Sequence, residues 1–474
     1  RVSGPWRQNT TLVKKGNSAL ENFKSFITEE KHENYRVVVI SNELGDKAIT
    51  AKRMEEEAVK LEYPYYIVPM DGTYTVLNDG VRTVHKQDDE KGFEIHTNDT
   101  VIFIRGTPER DSHLDLITQF QRAGYCVVNS RECLEVATDK YRSYLRLKDF
   151  GLTQPKTVLV PNEKTVEKSF QELGTKFPIV LKTLRGSKGV GVLFVESERS
   201  LNSLVQLLFK QDKATDILIQ EYIQTDFDVR VLVLGGKVIA TMKRNVVEGD
   251  FRSNASQGAE VEKYDLSELE LEQCILAAKA IGGTFTGVDF IPSSDPENKP
   301  PYILEINSSP GTENIEKSNN KNIVRDVLTY FNNPDLRYTA PNECGWEEVV
   351  EVKPFGQLTA KFDTGNYKYP VLHAEDISIG SSKKITFTNN GKSITTNLVG
   401  QYTSITGGGE DDRYIVELEF EFAGTNYGKI MFGLDNRDRM GTDVLLNRKI
   451  MSDLNVMVNP QRKYLITTKV SLDK

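Results

Sequence analysis

Cysteine is scarce. There are four, Cys126, Cys133, Cys274 and Cys344, and no CxxC pair among them. That pattern excludes a disulfide framework and reads as reduced thiols. Long apolar runs are also missing. None reaches ~18 residues, so no membrane-spanning helix is expected. No secretory signal is visible, although the chain starts at Arg1. Together these absences suit a cytoplasmic location. An excess of positive charge is lacking as well. The formal net charge is −8, whereas nucleic acid and anionic membranes want a basic face, so neither is an expected partner. The sequence holds neither GxGxxG nor GxxxxGK[ST], which argues against a dinucleotide fingerprint and a Walker A loop.

What is present is an ordinary globular composition, 38% hydrophobic and 27% charged. A chain of 474 residues exceeds one core, so several domains are expected. Residues 1–33 are polar and irregular and read as an arm. Over 34–135 strand and helix alternate. "YRVVVISN", "YYIVPM", "TVIFIRG" and "CVVNS" read as strands, and "KAITAKRMEEEAVKLEY" and "SHLDLITQFQRAGY" have helical spacing. This predicts a small parallel α/β domain. Over 136–336 short strands, hairpins and helices mix. "DKYRSYLRLKDFG" and "SLNSLVQLLFKQ" read as helices, and "DVRVLVLGGKVIATMKR" as a hairpin turning at Gly235-Gly236. Residues 337–346 are rich in Pro, Asn and Gly and read as a linker. Over 347–474 short strands recur between Asn-Gly and Gly-Thr turns, which predicts a small all-β barrel.

The stretch 178–317 carries the chemistry. In "YILEIN", Glu305 and Asn307 lie two apart, so a strand puts them on one face, with Tyr302, Leu304 and Ile306 on the other. Asp289 sits in the apolar run "FTGVDFI", where a solvated carboxylate is out of place. Three hard oxygen donors suit Mg²⁺ or Mn²⁺, whose remaining positions go to water and phosphate. For Glu305 and Asn307 alone, the plain alternative is a solvated edge-strand face. Lys182 leaves the apolar strand "PIVLK" beside the loop "RGSKGVGV". It suits a point charge on phosphate oxygens, while Gly186, Gly189 and Gly191 let backbone N–H groups approach. The alternative is an ordinary glycine-rich hairpin. In "QEYI", strand-end backbone groups at Glu221, Tyr222 and Ile223 suit an adenine edge, and Asp228 suits ribose hydroxyls; singly, each also reads as a plain strand-end residue. Arg244 and Arg252, with Ser253 and Asn254 in "EGDFRSN", are available for transition-state charge, or are a solvated basic loop.

In this order and spacing, "DKYRS", "LKTLRGSKGVGV", "QEYI", "EGDFRSN", "GVD", "EINSSPG" and "NIEK" resemble the ATP-grasp superfamily. Within it they resemble the RimK-type ligases, which add glutamate to the C-terminus of a ribosomal protein. The N-terminal strands, "IFIRG" included, resemble that family's pre-ATP-grasp domain. The resemblance implies a pre-ATP-grasp α/β domain followed by two α+β ATP-grasp subdomains. It makes Lys140, Lys182, Glu221, Tyr222, Asp228, Arg252, Ser253 and Asn254 nucleotide contacts, and Asp289, Glu305 and Asn307 metal ligands. The implied cofactors are ATP and Mg²⁺, and the implied partners are an amino acid and a peptide or protein acceptor. The loop reads Arg-Gly-Ser-Lys where the family often has an acidic residue and Gly-Thr-Gln, a departure that touches the acceptor rather than ATP. A dipeptide-forming ligase acting on small molecules is the nearest alternative.

In the barrel, "GQLTAKFDTGN" runs a strand into Asp363-Thr364-Gly365. "DVLLNRKIM" follows at a distance, an apolar pair before a turn and a short helix. The arrangement resembles retropepsin-like aspartic proteases, and "VLHAEDI" and "DRMGTDVLLNRKIM" resemble the RimB-type family once called ATP-dependent zinc proteases. One DTG supplies half of a carboxylate pair, so Asp363 as a catalytic residue implies a dimer through the barrel. Asn447 stands where that family has Gly and is expected to keep a left-handed turn. Zinc is not expected, because His373 is the only histidine there. A protease regulated by its ATP-binding half, and an inert dimerisation barrel, are the remaining alternatives.

Overall fold

The computed structural model describes residues 35–45, 48–77, 82–87, 89–184, 191–211, 216–246, 261–337, 339, 341–381, 383–406 and 409–468. The chain forms two compact units, Arg1–Thr339 and Ala340–Lys474. Among the described residues no helix is long and apolar enough to cross a membrane.

The first unit opens with a parallel sheet, in the order Tyr65–Pro69, Arg36–Ser41, Thr100–Arg105, Cys126–Val128. Val37 to Ile40 and Val101 to Ile104 are buried without a break. Strands covered on both faces read as continuous apolar runs rather than alternating ones. The helices Ile49–Lys60 and Asp111–Arg122 connect them, as the periodicity predicts. A three-stranded antiparallel sheet, Thr73–Leu77, Arg82–Lys86 and Asp89–Ile95, was not expected. Its strands are mostly polar, so they carry little hydrophobic signal.

Two further sheets follow. One is antiparallel, in the order Val192–Val195, Ile179–Thr183, Ile217–Glu221, Thr157–Val160, over its own core of Val160, Leu181, Val195 and Ile219. The other runs Val261–Glu262, Lys237–Asn245, Phe227–Leu234, Phe285–Ile291, Tyr302–Asn307. Its hairpin turns at Gly235 and Gly236, both with positive φ. A Cβ on Gly235 would fall 2.1 Å from the Tyr330 hydroxyl, so only glycine fits.

The rear face of this five-stranded sheet is apolar. Val229, Val231, Val288, Phe290, Ile303 and Ile306 pack there with Cys274, Ala277 and Ala278 of the helix Glu268–Ala280. The register shifts between Asp289 and Phe290, which leaves Leu304 without an opposite residue. Ile303 and Ile306 therefore share the core, where strict alternation predicted Tyr302, Leu304 and Ile306. Glu305 and Asn307 lie beyond the shift and keep one face. At one end the front face carries Leu232 and Leu234, which share a core with Val37, Val39 and Phe103 of the first sheet. At the other end it carries charge.

In the second unit six strands close into a barrel: Glu347–Val352, Gly356–Phe362, Val444–Leu446, Val371–His373, Thr425–Asp435 and Gly409–Phe422. Val350↔Phe422 pairing completes the ring. Lys392–Thr406, Lys384–Asn389 and Glu375–Ile379 extend it. The linker expected over 337–346 is half strand. Asn342–Gly345 pairs in parallel with Val456–Asn459, a partner too remote for local composition to reveal.

Candidate functional site

The charged end of the five-stranded sheet is a registered row. Arg230 lies opposite Asp289, and Asp289 opposite Glu305. Arg230 Nε donates to Asp289 Oδ1 at 2.7 Å and Nη2 to Oδ2 at 2.6 Å. One strand over, Arg244 Nε and Nη2 donate to Asp228 Oδ1 and Oδ2 at 2.6 and 2.7 Å, and Nη2 lies 3.1 Å from Asp289 Oδ2. With its amide oxygen turned to Arg230 Nη2 at 3.3 Å, Asn307 donates to Glu305 Oε1 at 3.1 Å. Asp228, Arg244 and Asp289 are buried. Burial alone would raise the Asp289 pKa, but Arg230 and Arg244 pull it down to about 2. It is a carboxylate at any working pH. Arg244 is held charged too, since Asp289 and Asp228 more than offset its burial.

This donor set fits a hard cation. Glu305 is exposed and ionisable, Asn307 offers an amide oxygen, and Asp289 keeps lone pairs beyond those its arginines use. Arg230 is the residue that sequence reasoning missed. The signal was there, because "DVRV" places Asp228 and Arg230 two apart in an apolar strand. Asp228, expected at the ribose, accepts from Arg244 with both oxygens and supports that arginine, which leaves each oxygen a further lone pair.

Lys182 comes from the antiparallel sheet. Its strand Ile179–Thr183 is buried up to Leu181 and then emerges, which aims the lysine out of the core. Burial pulls its pKa down to about 8, Glu305 opposes that shift, and Lys140 adds to it. Lys182, Lys140 and Glu305 therefore share one electrostatic neighbourhood, although they come from different elements. Asp139 caps the helix Lys140–Asp149, accepting from the N–H groups of Tyr141 and Arg142 at 2.9 Å each. At the end of Ile217–Glu221, Glu221 accepts from the Lys156 N–H at 3.2 Å. The Tyr222 ring stands edge-on to Phe194, with centroids 5.0 Å apart, and Ile223 follows it. Gly191 closes the expected loop with φ +80°, and a Cβ there would fall 2.2 Å from Thr183 Oγ1. Gly186, Gly189, Arg252, Ser253 and Asn254 lie outside the described residues, as does the arm over 1–33.

The first domain grips the segment that follows Asn307. Arg105 Nη2 donates to the Pro310 carbonyl at 2.7 Å, and the Gly106 N–H to Ser309 Oγ at 2.9 Å. Asn129 Nδ2 donates to the carbonyls of Phe285 and Ser308 at 2.6 Å each, while its Oδ1 accepts from the N–H groups of Thr284 and Phe285. Glu316 of "NIEK" accepts from the N–H groups of Ile323 and Val324, at the start of the helix Ile323–Tyr330.

In the barrel, Asp363 is partly exposed. Its N–H donates to the Leu446 carbonyl at 3.0 Å, and its Oδ1 accepts from the Gly365 N–H at 2.8 Å. Asn447 is not left-handed, as was expected. Its φ is −94°, and its Oδ1 accepts from the Ile450 N–H as the N-cap of Arg448–Asp453. His373, Glu375 and Asp438 cluster together. The Arg437 N–H donates to His373 Nδ1 at 3.0 Å, so the proton of a neutral ring sits on Nε2, facing Asp438. That tautomer offers no lone pair to a metal.

A model of the RimK-like ATP-grasp domain matches residues 137–331. A probable alpha-L-glutamate ligase from Psychromonas ingrahamii is 31% identical over 298 residues, covering 62% of this chain and 94% of the relative. Another from Marinomonas sp. is 36% identical over 218 residues, covering 46% and 70%. Among solved structures, the ATP-grasp ligase PsnB with a minimal precursor is similar at TM-score 0.48 and 19% identity, over 62% of this chain and 98% of that one. The D-alanine–D-alanine ligase of Bacillus anthracis with ATP is similar at TM-score 0.47 and 15% identity, over 64% and 98%. The coverage of the glutamate ligases and the match of the domain model settle the family: this chain belongs to the RimK-like ATP-grasp ligases.

Proposed function

We propose that the first unit is an ATP- and Mg²⁺-dependent carboxylate–amine ligase that adds an amino acid, glutamate first, to a peptide or protein carboxylate. The observation that carries this reading is the registered row Arg230–Asp289–Glu305, with Lys182 in its electrostatic field. The relatives' designation as probable alpha-L-glutamate ligases supports glutamate. The acceptor carboxylate attacks the γ-phosphate, the bond to the β-phosphate breaks, and ADP leaves an acylphosphate behind. An amine then attacks that carbonyl and phosphate leaves. Asp289, Glu305 and Asn307 would hold Mg²⁺, which neutralises phosphate charge when bound. Arg230 and Arg244 fix Asp289 as an ionised, immobile ligand. Lys182 and Lys140 add positive charge in the same neighbourhood as Glu305. The full chain with ATP, Mg²⁺ and single amino acids should release ADP only when an amino acid and an acceptor peptide are both present. ADP release indifferent to the amino acid would end the ligase reading.

For the barrel we propose a retropepsin-like partner domain that pairs two chains and brings two Asp363 side chains together. The closed ring supports it, as does the parallel pairing of Gly356–Phe362 with Val444–Leu446, which sets Asp363 against Leu446. Light scattering of the full chain should give twice its 53.5 kDa mass. A monomer at micromolar concentration would remove the paired carboxylates.

A further inference from the structure

Arg105 ends Thr100–Arg105, an inner strand of the parallel sheet. The carboxyl ends of such strands are where open α/β sheets bind ligands. Its residue is 9% exposed. Burial draws its pKa down to about 10, with Glu313 and Tyr65 pulling the other way, so it is a cation at neutral pH. The two arginines of the charged row have carboxylate partners: Arg230 holds Asp289, and Arg244 holds Asp228 and Asp289. Arg105 has none within ion-pair distance among the described residues. Its one hydrogen bond there is from Nη2 to Pro310 O, which leaves Nε and Nη1 without acceptors.

A desolvated guanidinium with half its fork open is costly unless something completes it. The group that fits is a carboxylate, which takes two parallel N–H bonds, here one from the second N–H of Nη2 and one from the Nε or Nη1 beside it. The position adds meaning. Arg105 and Gly106 lie against Ser309 and Pro310, just past the Asn307 ligand. The carboxylate being activated loses its charge on phosphorylation. A fixed cation outside the groups assigned above to nucleotide and metal is available for a carboxylate that stays charged throughout.

Resting on the ligase reading, we propose that Arg105 is the receptor for a spectator carboxylate of a substrate. That group is either the α-carboxylate of the incoming amino acid or a carboxylate of the acceptor that is not activated. Calorimetric titration of the full chain tests this without turnover. The probes are glutamate, its α-amide, and a glutamate-ended peptide with a free or an amidated C-terminus. Arg105→Gln, which keeps a donor for Pro310, should weaken one of the two acids by about 10- to 100-fold. The matching amide should bind the variant as it binds the wild type. Loss confined to glutamate assigns the amino acid, and loss confined to the free-ended peptide assigns the acceptor. Three results would overturn the proposal: both acids bound equally by variant and wild type, acid and amide weakened alike, or no acid bound by the wild type. The second of these would make Arg105 a prop for Pro310 only. If Arg105→Gln fails to fold, Arg105→Lys keeps the charge without the fork and should show the same selective loss, smaller in size. An inactive wild type that still binds acid through Arg105 would fault the ligase reading and leave this one standing.

Discussion

Asp289 and Asp363 are both aspartates in or at the end of an apolar strand, yet their surroundings differ in kind. Asp289 is buried, gripped by two arginines and held near pKa 2. Asp363 is half-open to solvent, with one oxygen taken by the N–H of its own turn. A carboxylate fixed as an anion cannot trade protons, but it is well made for holding a cation. A carboxylate with one local bond is unfinished and takes its chemistry from whatever approaches it. The charged row is held together within a single chain, whereas the proposed pairing of Asp363 needs a second copy.

The widest gap between the regions should appear in stability. Arg244→Met removes the guanidinium held by the buried carboxylates Asp228 and Asp289 and should cost about 3–5 kcal/mol in urea unfolding of the first unit. Asp363→Asn should stay within about 0.5 kcal/mol. Similar values for the two variants would erase the distinction. In turnover, Glu305→Gln should lower Mg²⁺-dependent ADP formation by at least about 100-fold. Full activity in that variant would remove Glu305 from the metal set.

A subtler test uses Lys182. Its pKa near 8 lies below the ordinary lysine value, so the free side chain is mostly charged at pH 7 and mostly neutral at pH 9. Phosphate favours the charged form. Binding of a non-hydrolysable ATP analogue should therefore take up a proton above pH 8, and affinity should fall by up to about tenfold per pH unit there. Calorimetry in two buffers of different ionisation enthalpy reads the uptake, and Lys182→Met should abolish it. A flat profile would place Lys182 away from phosphate. The smallest effect belongs to the barrel: Asp363→Asn should leave ligation unchanged and remove peptide cleavage, if the paired barrels cleave.

The spacing of Glu305 and Asn307, the odd carboxylate at Asp289 and the lysine after "PIVL" were legible because each breaks a local pattern. Their convergence was not, since the register Arg230↔Asp289↔Glu305 joins residues up to 75 positions apart in the chain. Arg230 was overlooked because a single arginine in a strand looks solvated until its partner is known. The polar sheet over 73–95 and the strand Asn342–Gly345 failed for another reason: their pairing partners, not their composition, make them strands. Asn447 was misjudged because asparagine serves both left-handed turns and helix caps, and one residue cannot say which.

Asn129 ties together the beginning of Phe285–Ile291 and the residue just after Tyr302–Asn307, and the first sheet shares a core with the same strands. In mechanical terms this half of the unit is an anvil. The sheet bearing Lys182, built on its own core, is the hammer. On the proposed reading, closing over a nucleotide would fall to the hammer. A pull on the first domain would be felt first at Ser308, Ser309 and Pro310, beside Asn307.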